Sequence, residues 1–174
     1  MKTLDFIENF EPTEYTAPEE VLVSLLKEKE LVISVAESFT GGNISAKITS
    51  VSGASSVFYE GIVAYNENAK HARLGVDKDT LEEFKPVSKQ VACQMAEGLL
   101  KSRRAQIGLS TTGIAGPNSD DSNFPVGLCF IGVSVGGKTT VYKYNFSGTR
   151  AEIIKKGTFY ALNLAINKLK NIKE

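Results

Sequence analysis

Residues 31–50 read LVISVAESFTGGNISAKITS. The apolar run over residues 31–36 has the length of a buried β-strand. The polar turn over residues 37–42 contains two glycines, and apolar residues then recur at helical spacing over about residues 42–50. A strand, a tight turn and a helix in this order predict one βα unit of an α/β fold.

The same alternation of strands and helices continues on both sides of this unit. Further strands are predicted over residues 57–65, 106–112, 126–135 and 138–146. Further helices are predicted over residues 17–29, 67–74, 79 to 86 (a short one that Pro86 ends), 88–102 and 149–170. Gly136 and Gly137 join the last two strands as a two-residue hairpin turn. The pattern therefore predicts an α/β fold with a mostly parallel sheet, one antiparallel hairpin strand and helices on both faces.

Several helix ends carry capping residues. Thr16 with Glu19, and Thr149 with Glu152, have the spacing of a capping box. The other predicted caps are Asn66 and Ser88 at helix starts and Gly75 at a helix end. These signals define where the helices begin more sharply than hydrophobic periodicity does.

The length of 174 residues is typical of one domain. Residues 1–16 mix acidic and apolar side chains and are predicted to form an N-terminal extension, which leaves residues 17–174 as the single domain. The extension lacks the apolar segment of a secretory signal peptide, and the chain contains no apolar run long enough for a membrane span. We therefore expect a cytoplasmic protein without a membrane partner.

The composition argues against several classes of function. The chain has 20 Lys and Arg residues and 20 Asp and Glu residues, so its formal net charge is zero, which is atypical of proteins that bind nucleic acid by neutralising phosphates. It has one histidine, His71, and two cysteines, Cys93 and Cys129, which lie in apolar segments. This argues against a disulfide framework and against a metal centre. Catalysis would therefore use Ser, Thr, Tyr, Lys, Arg or carboxylate side chains.

The turn after the strand at residues 31–36 is a candidate catalytic segment, because ligands bind at the carboxyl ends of parallel strands in open α/β sheets. Ser38 lies at such an end and is a candidate nucleophile. Gly41 and Gly42 let the backbone approach a ligand, and the N–H groups of the following helix start could hold an oxyanion. The alternative is that Ser38 or Thr40 only caps the helix.

Tyr65 and Lys70 form a second polar cluster at the end of the next predicted strand. Lys70 lies about one turn into the following helix, so the phenol and the amine can reach the same edge of the sheet. A buried lysine with a lowered pKa can act as a base for a serine, and a tyrosine hydroxyl can relay the proton. The alternative is a tyrosine at the rim and a solvated surface lysine.

Two further features indicate an anion site. The small residues of the loop over residues 111–117 follow a strand and could cradle a phosphate or a ribose, although an ordinary crossover loop has the same pattern. Arg150 occupies the first position of the last predicted helix, where a cation opposes the helix dipole. A phosphate or carboxylate bound between Arg150 and the helix start would remove this conflict; the alternative is an exposed arginine paired with Glu152 or water.

Together these clusters resemble the family of CinA C-terminal domains, and in particular the stand-alone, PncC-like nicotinamide-nucleotide amidohydrolases. The resemblance covers about residues 20–170. The matching segments are Ala36-Glu37-Ser38, Thr40-Gly41-Gly42, Gly61 to Tyr65, Ala69-Lys70, Leu74-Gly75-Val76, Val87-Ser88, Met95 to Gly98, Thr112 to Pro117, Pro125-Val126-Gly127 and Gly148-Thr149-Arg150.

The resemblance implies an activity: hydrolysis of the carboxamide of nicotinamide mononucleotide to nicotinate mononucleotide and ammonia, without a metal or another cofactor. It implies that Ser38 is the nucleophile and that Tyr65 and Lys70 activate it, with either of the two taking the first proton. The residues that it implies for holding the substrate or its oxyanion are Glu37, Thr40, Gly41, Gly42, Thr112, Gly113, Gly116 and Arg150. It also implies a three-layer α/β/α domain with a mixed sheet of about five strands, and a homo-oligomer, most simply a dimer.

Two segments depart from the family pattern. Phe39 stands where a smaller residue or a cysteine is common, and the stretch over residues 118–124 replaces a loop that is usually richer in glycine. These departures keep two alternatives open: a catalytically silent nucleotide-binding or interaction module associated with competence or damage, and an amidase that acts on another amide.

Overall fold

The computed structural model describes residues 4–119 and 124–172. Its strands are β1 (Leu4–Glu8), β2 (Ile33–Glu37), β3 (Phe58–Val63), β4 (Ile107–Gly113), β5 (Leu128–Val135) and β6 (Lys138–Asn145). Its helices are α1 (Pro18–Glu28), α2 (Asn43–Thr49), α3 (Glu67–Leu74), α4 (Lys78–Phe84), α5 (Lys89–Gly98) and α6 (Arg150–Lys170), with a 3-10 turn at Ala54–Ser56. All elements predicted from the sequence are present, and α5 ends four residues before its predicted end at residue 102.

The six strands form one sheet in the order β1-β6-β5-β4-β2-β3. β5 is antiparallel to both of its neighbours, and the other pairs are parallel, so five strands share one direction and β5 alone is reversed. This confirms the mixed, mostly parallel sheet with one antiparallel hairpin strand. Since β2, β3 and β4 are parallel neighbours, their carboxyl ends meet at one edge of the sheet.

The sheet has one strand more than the five expected, because the N-terminal extension contributes β1. This strand pairs in parallel with β6, from Leu4 opposite Thr139 to Glu8 opposite Lys143. Farther along the extension, the Tyr144 hydroxyl donates to the carbonyl of Phe10 at 2.7 Å. The extension thus lies along the sheet, while the predicted domain boundary at residue 16 stays a prediction.

Two layers of helices cover the sheet, which confirms the three-layer α/β/α architecture. Helices α1, α2 and α6 pack together on one face, over a core that includes Leu26, Ile33 and Ile166. Helices α3, α4 and α5 cover the other face, where Val91 and Met95 of α5 are fully buried. No helix in the two described ranges is long and apolar enough to cross a membrane.

The predicted caps are confirmed at all positions but one. Asn66 and Ser88 accept hydrogen bonds from the N–H groups of Asn68 and Val91, Gly75 has a φ of 66°, and the Thr149–Glu152 capping box is complete. The predicted Thr16 capping box is wrong: Ala17 is the N-cap of α1 and makes no side-chain hydrogen bond. Pro18 fixes the first helical position, which leaves Thr16 one residue too far from the helix to cap it.

Candidate functional site

A cavity of about 340 Å³ lies at the edge of the sheet where β2, β3 and β4 end. It brings together Ser38 after β2, Tyr65 after β3 and Thr112 within β4, as expected for the carboxyl ends of parallel strands. Its walls are formed by Ser38, Phe39, Tyr65, Asn66, Glu67, Lys70, Pro86, Val87, Thr112, Gly113, Ala115 and Arg150. We call it the site cavity.

Ser38 and Lys70 are in direct contact at the inner end of the site cavity. The Lys70 Nζ atom donates a hydrogen bond of 3.0 Å to the Ser38 Oγ atom. Lys70 is 2% exposed, so the interpretation of a solvated surface lysine is wrong. Its position follows from the start of α3, since the Asn66 cap begins the helix and puts Lys70 one turn farther on, facing β2. The alternative in which Ser38 only caps α2 is also wrong, because α2 has no hydroxyl cap.

Burial of Lys70 changes its protonation. Removal of the ammonium group from water lowers the pKa of Lys70 from its ordinary value of 10.5 to about 8, and the negative charge of Glu67 opposes this shift. At a pKa of about 8, roughly a tenth of the lysine is neutral at pH 7. A neutral amine at 3.0 Å can accept the proton of the Ser38 hydroxyl, which makes the pair capable of nucleophilic chemistry without a histidine.

The Glu37 carboxylate lies beneath the nucleophile turn and not in the wall of the site cavity. The side chain is fully buried. Its Oε2 atom accepts hydrogen bonds from Thr40 Oγ1 and from the N–H groups of Gly42 and Ile44, and its Oε1 atom accepts from the N–H and hydroxyl groups of Ser45. The expectation that Glu37 binds substrate is therefore corrected: both oxygens are occupied, and the carboxylate caps α2 and holds the turn that carries Ser38.

This capping also corrects the expected oxyanion site. The helix-start N–H groups of Gly42, Ile44 and Ser45 are not free, because they donate to Glu37. The Thr40 hydroxyl bonds to Glu37 and to the hydroxyl of Thr111, so this side chain is buried and does not line the cavity. Among the described residues, the N–H groups of Thr40 and Gly41 make no hydrogen bond. Thr40 is fully buried and Gly41 is exposed, so the Gly41 N–H is the donor that the turn can offer to a ligand.

We expect Glu37→Gln to lower the free energy of unfolding by about 1–3 kcal/mol, because the amide NH₂ replaces an oxygen that accepts from buried donors and leaves at least one of them unpaired. Urea denaturation followed by circular dichroism measures the change. Glu20→Gln is the matched control, since Glu20 is an exposed glutamate on α1. Equal stabilities of the two variants would contradict the capping role.

Arg150 and Tyr65 meet at the mouth of the site cavity. The Arg150 guanidinium donates through Nη2 to the Tyr65 hydroxyl at 3.1 Å and through Nη1 to the carbonyl of Gly116. It is not paired with Glu152, whose carboxylate accepts from the N–H and hydroxyl groups of Thr149. Tyr65 is 64% exposed, and its hydroxyl makes no hydrogen bond to Ser38. The structure thus joins Ser38 with Lys70 and Tyr65 with Arg150.

The remaining predicted residues occupy two kinds of position. Thr112 and Gly113 line the cavity, and the Thr112 hydroxyl donates to the carbonyl of Pro86 at 2.8 Å. Gly116 lies behind the wall and contributes only its carbonyl to Arg150. In the loop over residues 118–124, residues 120–123 lie outside the described part of the chain. Within residues 4–119 and 124–172, no three His, Cys, Asp or Glu side chains cluster as metal ligands.

Several wall residues were missing from the predicted site. Glu67 could have been found, since it precedes Lys70 by three residues on a predicted helix and therefore shares its face. Pro86 and Val87 come from the link between α4 and α5, and no local pattern indicates that this link reaches the carboxyl ends of the strands. Phe39 stands out in the sequence as a departure from the family pattern, and the structure places it in the cavity wall.

Comparison with known proteins finds a matching family model and similar sequences. The family model of the CinA C-terminal domain matches residues 15–169. A "CinA-like protein" of Kosmotoga olearia is 48% identical over 145 residues, which cover 83% of this chain and 35% of that protein. A "Putative competence-damage inducible protein" of Clostridioides difficile is 48% identical over 148 residues, or 85% of this chain and 35% of that protein. The chain thus spans about a third of the length of these curated relatives.

The solved structures show the same fold. The crystal structure of the competence/damage inducible protein CihA from Agrobacterium tumefaciens superposes with a TM-score of 0.84 at 33% sequence identity. The match covers 92% of this chain and 100% of that one.

Proposed function

This chain belongs to the CinA C-terminal domain family, and on that premise we propose that it hydrolyses the carboxamide of nicotinamide mononucleotide to nicotinate mononucleotide and ammonia. The observation that carries the proposal is the buried Lys70 amine, which lies 3.0 Å from the Ser38 hydroxyl at the inner end of a cavity. A lysine with a pKa of about 8 beside a serine is the arrangement that a serine amidase without histidine requires.

In the first half of the proposed reaction, the neutral Lys70 amine takes the proton of Ser38 while Oγ attacks the carboxamide carbon. The negative charge that develops on the carboxamide oxygen is held by the free N–H group of Gly41. The Lys70 ammonium then donates its proton to the departing nitrogen, the C–N bond breaks, and ammonia leaves an ester of Ser38.

The second half repeats the proton transfers with water. Lys70, neutral again, accepts a proton from a water molecule that attacks the ester carbon. The ester bond to Ser38 breaks, Lys70 returns the proton to Oγ, and the carboxylic acid leaves and ionises. One carboxamide and one water thus give one carboxylic acid and one ammonia. Lys70 accepts and returns the proton in both halves of the reaction.

Arg150 and Tyr65 would hold the phosphate of the nucleotide at the cavity mouth. The guanidinium is charged at every physiological pH, and its position at the start of α6 adds the dipole of a 21-residue helix to the attraction for an anion. The Tyr65 hydroxyl, held by Arg150 at 3.1 Å, can donate to the same anion. A substrate with a phosphate at one end and a carboxamide at the other would span from Arg150 to Ser38.

The test is release of ammonia from nicotinamide mononucleotide by the purified protein, with Ser38→Ala as the control. We expect release by the wild type, formation of nicotinate mononucleotide in equal amount, and loss of both in the variant. Release of ammonia at the same rate by Ser38→Ala would contradict the serine mechanism. Saturable binding of the nucleotide without turnover would favour the silent binding module, and turnover of other amides only would favour a different amidase.

Arg150→Ala should raise KM for the phosphorylated substrate about tenfold or more with kcat little changed, because a charged hydrogen bond to phosphate is made equally in the ground state and the transition state. Steady-state kinetics on nicotinamide mononucleotide measures this change. Unphosphorylated nicotinamide riboside is the control substrate, since its KM should not depend on Arg150. An equal rise in KM for both substrates would show that Arg150 does not bind the phosphate.

A further inference from the structure

Phe39, the residue after Ser38, fills the space directly behind the site cavity. Its side chain is 4% exposed and contributes to both the cavity wall and the core between the sheet and α6. Two glycines make room for its ring. A Cβ atom on Gly113 of β4 would lie 2.7 Å from the Phe39 Cδ2 atom, and one on Gly157 of α6 would overlap the Cε1 atom.

The two glycines differ in what else constrains them. A Cβ atom on Gly113 would also collide with the backbone carbonyl of Leu128, so Gly113 is needed for sheet packing whatever stands at position 39. For a Cβ atom on Gly157, the three nearest heavy atoms outside its own helix backbone would all belong to the Phe39 ring, within 3.6 Å. Gly157 lies in the middle of a long helix, where glycine is unfavourable, and the group that comes nearest to it is the Phe39 ring.

We infer that Phe39 is a specificity-determining residue that closes the inner end of the site cavity and limits the size of the ring attached to the reacting carboxamide. The inference rests on the proposed function. The carboxamide carbon must come within about 3–3.5 Å of Ser38 Oγ, and Phe39 is the next residue along the same turn. Extra bulk on the ring beside the carboxamide would need the space that the Phe39 side chain fills, so the wild type takes the unsubstituted pyridine ring.

The test compares two substrates on three proteins: the wild type, Phe39→Leu and Phe39→Ala. The substrates are nicotinamide mononucleotide and its analogue with a methyl group on the ring carbon beside the carboxamide. We expect the ratio of kcat/KM, methylated over unsubstituted, to rise about tenfold or more in Phe39→Ala and less in Phe39→Leu. Phe58→Leu, which removes a partly buried ring on β3 away from the cavity, is the matched control and should leave the ratio unchanged.

Gly157→Ala adds a methyl group against the Phe39 ring, whereas the Phe39 variants remove atoms from it. In the wild type its methyl group must displace the Phe39 ring, and we expect kcat/KM for the unsubstituted nucleotide to fall about tenfold. In the Phe39→Ala background the same methyl group enters vacated space, so the fall should disappear. A fall of equal size in both backgrounds would overturn the inference.

Failure of the inference and failure of the proposed function give different results. If the wild type releases no ammonia, the proposed function fails, and the ratio of dissociation constants for the two nucleotides, measured by calorimetry on the same proteins, tests Phe39 by itself. If the wild type is active and the ratio does not move in Phe39→Ala, the inference is wrong. Where Phe39→Ala does not fold, Phe39→Leu decides in the same way, because leucine keeps most of the core volume.

Discussion

Lys70→Met should lower kcat for carboxamide hydrolysis by about 10³-fold, the loss typical of removing a general base that also returns the proton to the leaving group. Methionine keeps a long apolar side chain in the buried site but has no nitrogen at the position that lies 3.0 Å from Ser38 Oγ. Lys70→Arg is the second variant, because a guanidinium does not deprotonate near neutrality and should be equally inactive. Rates are measured by ammonia release at pH 8.

The same variant separates a catalytic role for Lys70 from a structural one. An ammonium group with a pKa of about 8 instead of 10.5 loses on the order of 3 kcal/mol when it is buried and charged. Lys70→Met removes this cost, so we expect the variant to be at least as stable as the wild type in thermal unfolding at pH 7. A large drop in melting temperature would instead assign Lys70 to the core of the fold and not to the reaction.

The sequence predicts the layered fold from local rules, whereas the residues alone leave structural alternatives open for Ser38 and Lys70, and the family resemblance implies that they act together. Strand ends and helix caps place Ser38 after β2 and Lys70 one turn into α3, and the parallel sheet then brings the two together. The sixth strand was not predicted, since β1 alternates exposed and half-buried residues and exists through its pairing with β6. A pairing partner more than a hundred residues away leaves no local signal.

The misassigned residues at the site have a related cause. Glu37 lies beside Ser38 in the sequence, and a carboxylate next to a candidate nucleophile reads equally well as a substrate ligand or as a support. Only its five hydrogen bonds to the α2 turn decide between the two. The role of Phe39 likewise depends on Gly157, which is 118 residues away on α6, so it becomes visible only in the packed structure.

The pH dependence of kcat/KM in the wild type should follow the titration of Lys70. Only the neutral amine can take the proton of Ser38, so kcat/KM should fall about tenfold per pH unit below a pKa of about 8 and reach roughly 1% of its plateau at pH 6. The profile is measured with nicotinamide mononucleotide at concentrations well below KM from pH 5.5 to pH 9.5. Activity that does not change between pH 6 and pH 8 would exclude Lys70 as the base in the free enzyme.

Glu67→Gln tests whether this pH dependence of kcat/KM comes from Lys70. Because the Glu67 carboxylate raises the pKa of Lys70, its removal should move the acid limb of the profile to lower pH and make the variant faster than the wild type at pH 6.

The lowered pKa of Lys70 should also make the free energy of unfolding depend on pH. The unfolded chain binds a proton at Lys70 up to pH 10.5 and the folded chain only up to about pH 8, so this residue's contribution makes the free energy of unfolding rise with pH between those values. That rise should be absent in Lys70→Met, where neither state has a proton to lose, and its persistence there would assign it to another group.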